Sequence, residues 1–393
     1  MSASWKASTQ PGSQSGKLSD ALSNLTSASV PLADTGGRTH HPAVKASNRT
    51  AILSILGVLL LFVTLLSAAI GAVSIPFSQL SAILLSKIGI HLPVEIDPRA
   101  DLVLTGIRLP RVLLGVLAGM ALAVSGALMQ GLFRNPLADP ALIGISSGSS
   151  FGASLMIVFG STLPGFVASS LGLFTIALAA FAGGLMVTFI VYTISTRDSQ
   201  TSVATMLLAG IAMNALCGAG TGGLILFSTD TQLRDLTFWS LGSLGAATWQ
   251  TLAVVAPFVI IVLIISPWLA RALNALLLGE SAAHHLGIET QRVKRLVILL
   301  SALAVGAVTA VTGLIGFVGL VVPHLIRLTF GPNHRLLLPA SALLGGILLV
   351  FSDLLARILL QPAEIPIGII TALFGAPFFL WLLMYGFSRN LRV

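Results

Sequence analysis

The chain has 393 residues, 55% of them hydrophobic and only 9% charged, with a mean hydropathy of +0.98 and a formal net charge of +8. Soluble domains carry roughly a quarter charged residues, so the composition excludes a soluble globular protein and indicates an integral membrane one. The single cysteine, Cys217, excludes a disulfide framework and Cys/His zinc spacing, and the excess of Lys and Arg reads as membrane topology rather than nucleic-acid binding.

Residues 1–48 are rich in Ser, Thr, Gln, Ala and Gly and carry no apolar run, so a disordered polar tail is predicted there. The first apolar stretch begins near Ala51 and is too long for the core of a cleavable signal. From there to the C-terminus a membrane domain over 49–393 is predicted. Its apolar segments are 51–73, 110–132, 141–160, 167–195, 203–227, 248–270, 294–312, 320–330, 337–360 and 367–387. Runs such as AILSILGVLLLFVTLLSAAIGAV do not alternate in polarity, which excludes a transmembrane β-barrel. The predicted fold is all-α, polytopic, with about ten transmembrane helices.

Between the first two spans, TGIRLPRVLLG (105–115) places Arg108 and Arg111 around Pro110. Proline suits a first helical turn, which would set both cations at the positive end of the helix dipole. Three readings remain open for them: snorkelling toward headgroups, an ion pair with Asp101, or an exposed claw for carboxylates on another protein. The glycines of GVLAG (115–119) and LCGAGTGG (216–223) permit close helix contacts, or leave room for a passage beside span five. Met206 and Met213 in that span suit packing first, and a large apolar ligand or haem iron second.

Residues 271–295, RALNALLLGESAAHHLGIETQRVKR, form the longest predicted inner loop, read either as a solvated connector or as a docking surface. Its adjacent His284 and His285 would point about 100° apart on a helix, which disfavours a shared metal. Further on, GLIGFVGLVVP (313–323) combines spaced glycines with a proline and predicts a broken segment enclosed by protein. It faintly echoes VSGALMQGLFRNP (124–136), a hint of internal duplication.

With both termini in the cytoplasm, 15 of the 21 Lys and Arg residues fall on the inner side, as the positive-inside rule requires. No G-x-S-x-G, H-E-x-x-H or P-loop spacing occurs, so no catalytic site and no ATP hydrolysis are expected of this chain. Asp353 and Arg357 close span nine, while Glu280 and Glu289 lie in a loop, which points to energy supplied by a partner rather than by intramembrane proton relays. A self-sufficient ion-coupled secondary transporter and a receptor-like membrane protein are the alternatives from other classes.

The blocks IRLPRVLLGVLAGMALAVSGALMQGLFRNPLADPALIGISSGSSFGA, LLGESAAHHLGI, IGFVGLVVPHLIRL, HRLLLPASALLGG and AEIPIGIITALFGAPFFLWLL together resemble the permeases of type II ABC importers. This is the FecCD-like family of iron-siderophore, haem and vitamin B12 permeases, and the resemblance covers nearly all of 49–393. It implies a homodimer of ten-helix subunits in the bacterial inner membrane, two cytoplasmic ATPase subunits that bind ATP and Mg, and a periplasmic binding protein. No cofactor is implied in this chain. The resemblance also implies that Arg108, Arg111 and Arg357 meet acidic knobs of the binding protein. Gly279, Glu280, Ala283, His284, Leu286 and Gly287 fall in the block that seats in the ATPase. Asn135, Leu137, Ser202, Val203 and Ala204 fall at the cytoplasmic gate, with Met206 and Met213 along the path. The segment QLRDLTFWSLGSLGAATW (232–249) is most similar to haem permeases, so haem is the expected substrate, with a ferric siderophore or cobalamin as the alternative.

Overall fold

A computed structural model describes residues 46–71, 73–162 and 174–390. All but the last three residues of the predicted tail lie outside the described residues. The first helix, α1, runs over Ala46–Ala69, and a short amphipathic turn of helix, α2, over Phe77–Ser86. Next come α3 (Pro98–Phe133), α4 (Ile145–Phe159) and α5 (Thr175–Ser195). A two-stranded hairpin, β1 (Thr196–Arg197) and β2 (Gln200–Thr201), leads to α6 (Val203–Ile225), α7 (Asp230–Leu241) and α8 (Trp249–Leu276). The short α9 (Glu280–His285) precedes α10 (Thr290–Thr312), α11 (Val318–Phe330), α12 (His334–Ile358) and α13 (Ile367–Asn390).

Seven described helices, α1, α3, α5, α6, α8, α10 and α12, are long and apolar enough to cross a membrane. The other three expected spans coincide with α4, α11 and α13, of 15, 13 and 24 residues. Helix starts carry the expected caps: Ser202 accepts from Thr205 N, Asn333 from Arg335 N, and Thr229 and Thr248 form capping boxes.

The sequence placed a helix start at Pro110, and the structure corrects this. The helix begins at Pro98, where Asp97 caps it by accepting from Arg99 N, and Pro110 lies deep inside. An interior proline removes one backbone donor and crowds the preceding turn. A π-helical turn over Val103–Arg108, in which Leu109 N donates to Leu104 O, absorbs the mismatch. Arg108 and Arg111 are therefore not at the dipole's positive end.

Glycine sets the closest helix contacts. A Cβ on Gly119 would sit 2.2 Å from Gly345 O, and one on Gly126 would sit 1.8 Å from Gly319 O, so α3 touches α12 and α11 backbone to backbone. The second contact joins the two segments that echo each other in sequence. Their conformations differ, because 124–133 is continuous helix whereas 313–317 is not helical. That break is the one the glycines predicted. Its backbone is enclosed by protein: Ser243 N donates to Thr312 O at 2.7 Å, and a Cβ on Gly368 would meet Leu314 O at 3.3 Å.

Candidate functional site

The predicted site residues divide between the two ends of α3, roughly 33 Å apart at 1.5 Å per residue between Arg111 and Phe133. At one end the last turn of α1, the early part of α3, the end of α12 and the approach to α13 converge on Asp353. Arg111 grips its carboxylate with Nε to Oδ1 at 3.0 Å and Nη2 to Oδ1 at 2.8 Å, while Arg357 Nε donates to Oδ2 at 3.1 Å. The rest of the Arg111 fork holds Glu364, Nη1 to Oε1 at 3.0 Å and Nη2 to Oε2 at 2.9 Å. Arg357 also donates to Ile70 O at 3.0 Å and to Ser67 Oγ at 2.6 Å. Arg108 donates to Ala68 O and Ala69 O at 2.8 Å each and to Val73 O, satisfying the terminal carbonyls of α1.

These contacts correct the expectation of an exposed claw. Arg108, Arg111 and Arg357 are only 5%, 8% and 8% exposed, and each guanidinium donates to groups inside the chain. Nor does Asp101 pair with Arg108; it faces Lys87 at 3.2 Å. The cluster sets three cations against two carboxylates, and Arg108 meets carbonyls only among the described residues. Glu364 is the accessible member, its side chain 47% exposed.

At the opposite end lies the connection predicted as the coupling loop. It is shorter than expected: α8 runs on to Leu276 and α10 begins at Thr290, so Arg292, Lys294 and Arg295 are helical. Gly279 adopts φ +113°, a value that favours glycine, and turns the chain into α9. Ala283 is buried and anchors α9, whereas His284, His285, Leu286 and Gly287 are exposed, and Leu278 stands out beside them. The His284 and His285 rings are 6.5 Å apart and tilted, and no metal-binding group of three is present among the described residues. Glu280 is half-exposed. Its carboxylate receives Lys294 Nζ at 2.7 Å, and the same ammonium donates to Thr201 O at 2.8 Å.

The predicted gate residues lie at this end too. Arg134 ends α3 in the left-handed region, and Asn135 Oδ1 accepts from Leu137 N at 2.9 Å, an Asx turn that holds the NPLA segment. Ser202 and Ala204 are exposed at the start of α6, Val203 is half-buried, and Met213 is half-buried further along. Met206 departs from the expectation of a pathway residue: it is buried within the main hydrophobic core. The glycines of span five divide: Gly210 packs on Leu142 and Gly220 on the Phe151 ring of α4, whereas Gly218, Gly222 and Gly223 have no described atom within 4 Å of where a side chain would begin and leave that side of α6 uncovered.

The family model for the FecCD transport family matches residues 59–385. The chain belongs to that family. It is 47% identical over 333 residues to the hemin transport system permease protein HmuU of Yersinia pestis, covering 85% of this chain and 95% of the relative. The cobalamin import system permease protein BtuC of Halobacterium salinarum is 42% identical over 72% of this chain and 74% of its own length. The vitamin B12 import system permease protein BtuC of Salmonella typhi is 39% identical over 74% and 86%. A metal-chelate type ABC transporter solved in an inward-facing conformation superimposes with a TM-score of 0.74 at 33% identity, covering 86% of this chain and 99% of that one. The protein is thus a multi-pass membrane permease subunit of the type II ABC importer class, whose family assembles as a permease dimer with ATPase and binding-protein partners.

The partners of Arg111 were beyond sequence reasoning, since Asp353 and Glu364 lie 242 and 253 residues away. Lys294 was missed as a site residue because a lysine beside Arg292 and Arg295 reads as inner-loop charge. Its helical register after Thr290 was the only available hint of burial.

Proposed function

We propose that the protein is the permease of a binding-protein-dependent haem importer of the bacterial inner membrane. The observation that carries haem over cobalamin is the 47% identity to a hemin permease along 95% of that relative's length, above the 42% and 39% of the cobalamin relatives. The segment 232–249 supports the same substrate.

In this reading both termini are cytoplasmic, two copies of the chain enclose the passage, and the uncovered glycine face of α6 lines it. The end holding Arg108, Arg111 and Arg357 faces the periplasm. An acidic side chain of the binding protein offsets the excess charge there by competing with Glu364 for the Arg111 fork, since buried Asp353 cannot leave. The exposed Leu278, His284, His285 and Leu286 seat in an ATPase subunit, which binds ATP and Mg and performs the hydrolysis that this chain does not. Closure of the ATPases and docking of the binding protein bias one two-state bundle, so that Asn135, Leu137 and the Ser202–Ala204 turn open inward. The chain itself makes and breaks no covalent bond. A large planar substrate needs no axial ligand here; an apolar passage that grips weakly also releases.

The test compares haem, a ferric siderophore and cobalamin in ATP-dependent uptake by proteoliposomes with the cognate partners. Haem should be taken up in preference, and preference for either of the others would overturn the substrate assignment.

A further inference from the structure

Lys294 is a buried cation, its side chain only 3% exposed, in the second turn of α10. Burying an ammonium is costly unless it is paired and its donors are used. Here the two partners belong to different elements. Glu280 opens α9, which carries the exposed ATPase-facing residues, and its side chain is 40% exposed. Thr201 immediately precedes Ser202, the cap of α6.

The receiving side is stiff. Thr201 is buried and its N donates to Gln291 Oε1 at 2.9 Å, so α10 holds both polar backbone groups of this residue. Thr201 pairs with Thr196 across the hairpin, and their hydroxyls lie 3.0 Å apart. Asp198 and Ser199 both have positive φ, +49° and +62°, in a two-residue turn that matches strand twist. Ser202 N donates back to Ser195 O at 2.9 Å. The link from α5 to α6 is therefore a braced hairpin, and a displacement of Thr201 moves the start of α6 with it.

We infer that Lys294 is the positioning residue that ties α9 to the gate end of α6, so that movement of the 277–289 connection reaches Ser202 through the Glu280–Lys294–Thr201 chain of bonds. This rests on the coupling reading given above. Lys294 touches neither substrate nor ATPase; it acts by holding Glu280 and Thr201 in one unit. Arginine could reach both groups, whereas methionine fills the space but ties neither.

The experiment uses the full transporter in proteoliposomes and reads haem uptake per ATP hydrolysed. Lys294→Met should assemble with the ATPase and hydrolyse ATP, yet transport roughly tenfold less per ATP, within the range of measured site-to-site couplings. Lys294→Arg should recover much of that ratio, which a purely volumetric role would not produce. A wild-type ratio in Lys294→Met, with the complex intact, overturns the inference. Should Lys294→Met fail to fold, Glu280→Gln decides by the same ratio, because its half-exposed side chain can change without emptying the core: a fall supports the tie, and no change overturns it. Failure of the coupling reading has a different signature, unchanged ATPase association when Leu278 and Leu286 are made acidic.

Discussion

Arg111 and Asp353, 242 residues apart, form a buried ion pair with Nη2 2.8 Å from Oδ1 and Nε 3.0 Å from the same oxygen. Arg357 completes the coordination of the carboxylate and reaches on to the end of α1. The pair thus fastens three helices at one end of the bundle. Removing one member leaves an uncompensated buried charge, so Asp353→Ala should lower stability by about 3–5 kcal/mol. Thermal unfolding of the purified permease in detergent checks this, and an unchanged midpoint would contradict the role.

Glu364 should behave in the opposite way. It is half-exposed, so Glu364→Gln changes stability little. By freeing the Arg111 fork, it should tighten binding-protein association about three- to fivefold, the scale of an exposed ion pair. Arg108→Glu should instead lower stability, because it sets a buried carboxylate against the carbonyls of Ala68, Ala69 and Val73. Binding kinetics of permease in nanodiscs at two ionic strengths would read the first effect, and thermal unfolding the second.

The glycine contacts predict a second contrast. Gly345→Val would push Cβ within 2.3 Å of Gly119 O, and the α3–α12 crossing has backbone on the other side that cannot yield, so folded protein should be lost. Gly222→Ala meets no described atom within 4 Å, so monomer folding should survive and any effect should fall on transport. Size-exclusion profiles paired with uptake assays separate the outcomes.

At the α9 end, the double change Leu278→Asp, Leu286→Asp alters two exposed leucines and leaves the buried Ala283 anchor intact. Association with the ATPase subunit should fall by roughly tenfold or more, as expected for apolar anchors of an interface, with the thermal midpoint unchanged. Co-purification of the two subunits measures it.

These sites differ in how far they could be read from the chain alone. Apolar runs located the membrane helices, because length and composition are local properties, and spaced glycines located the break at 313–317 for the same reason. Pro110 misled, since a proline marks a helix start only when no π turn is there to accommodate it. Arg108 and Arg111 stand out in the sequence as unusual, but snorkelling, a pair with Asp101 and an exposed claw stay open there, because their burial depends on carbonyls at the end of α1 and on carboxylates brought in by α12 and the approach to α13. Lys294 was hidden by its neighbours: three basic residues in four positions read as one solvated patch until the helix register turned one of them inward.

Uptake by proteoliposomes assembled with the permease, its ATPase and its binding protein, each omitted in turn, tests the whole account most directly. Haem should accumulate only when all three components and ATP are present, and an ion gradient should not replace them. Accumulation driven by an ion gradient in vesicles holding this chain alone would contradict it.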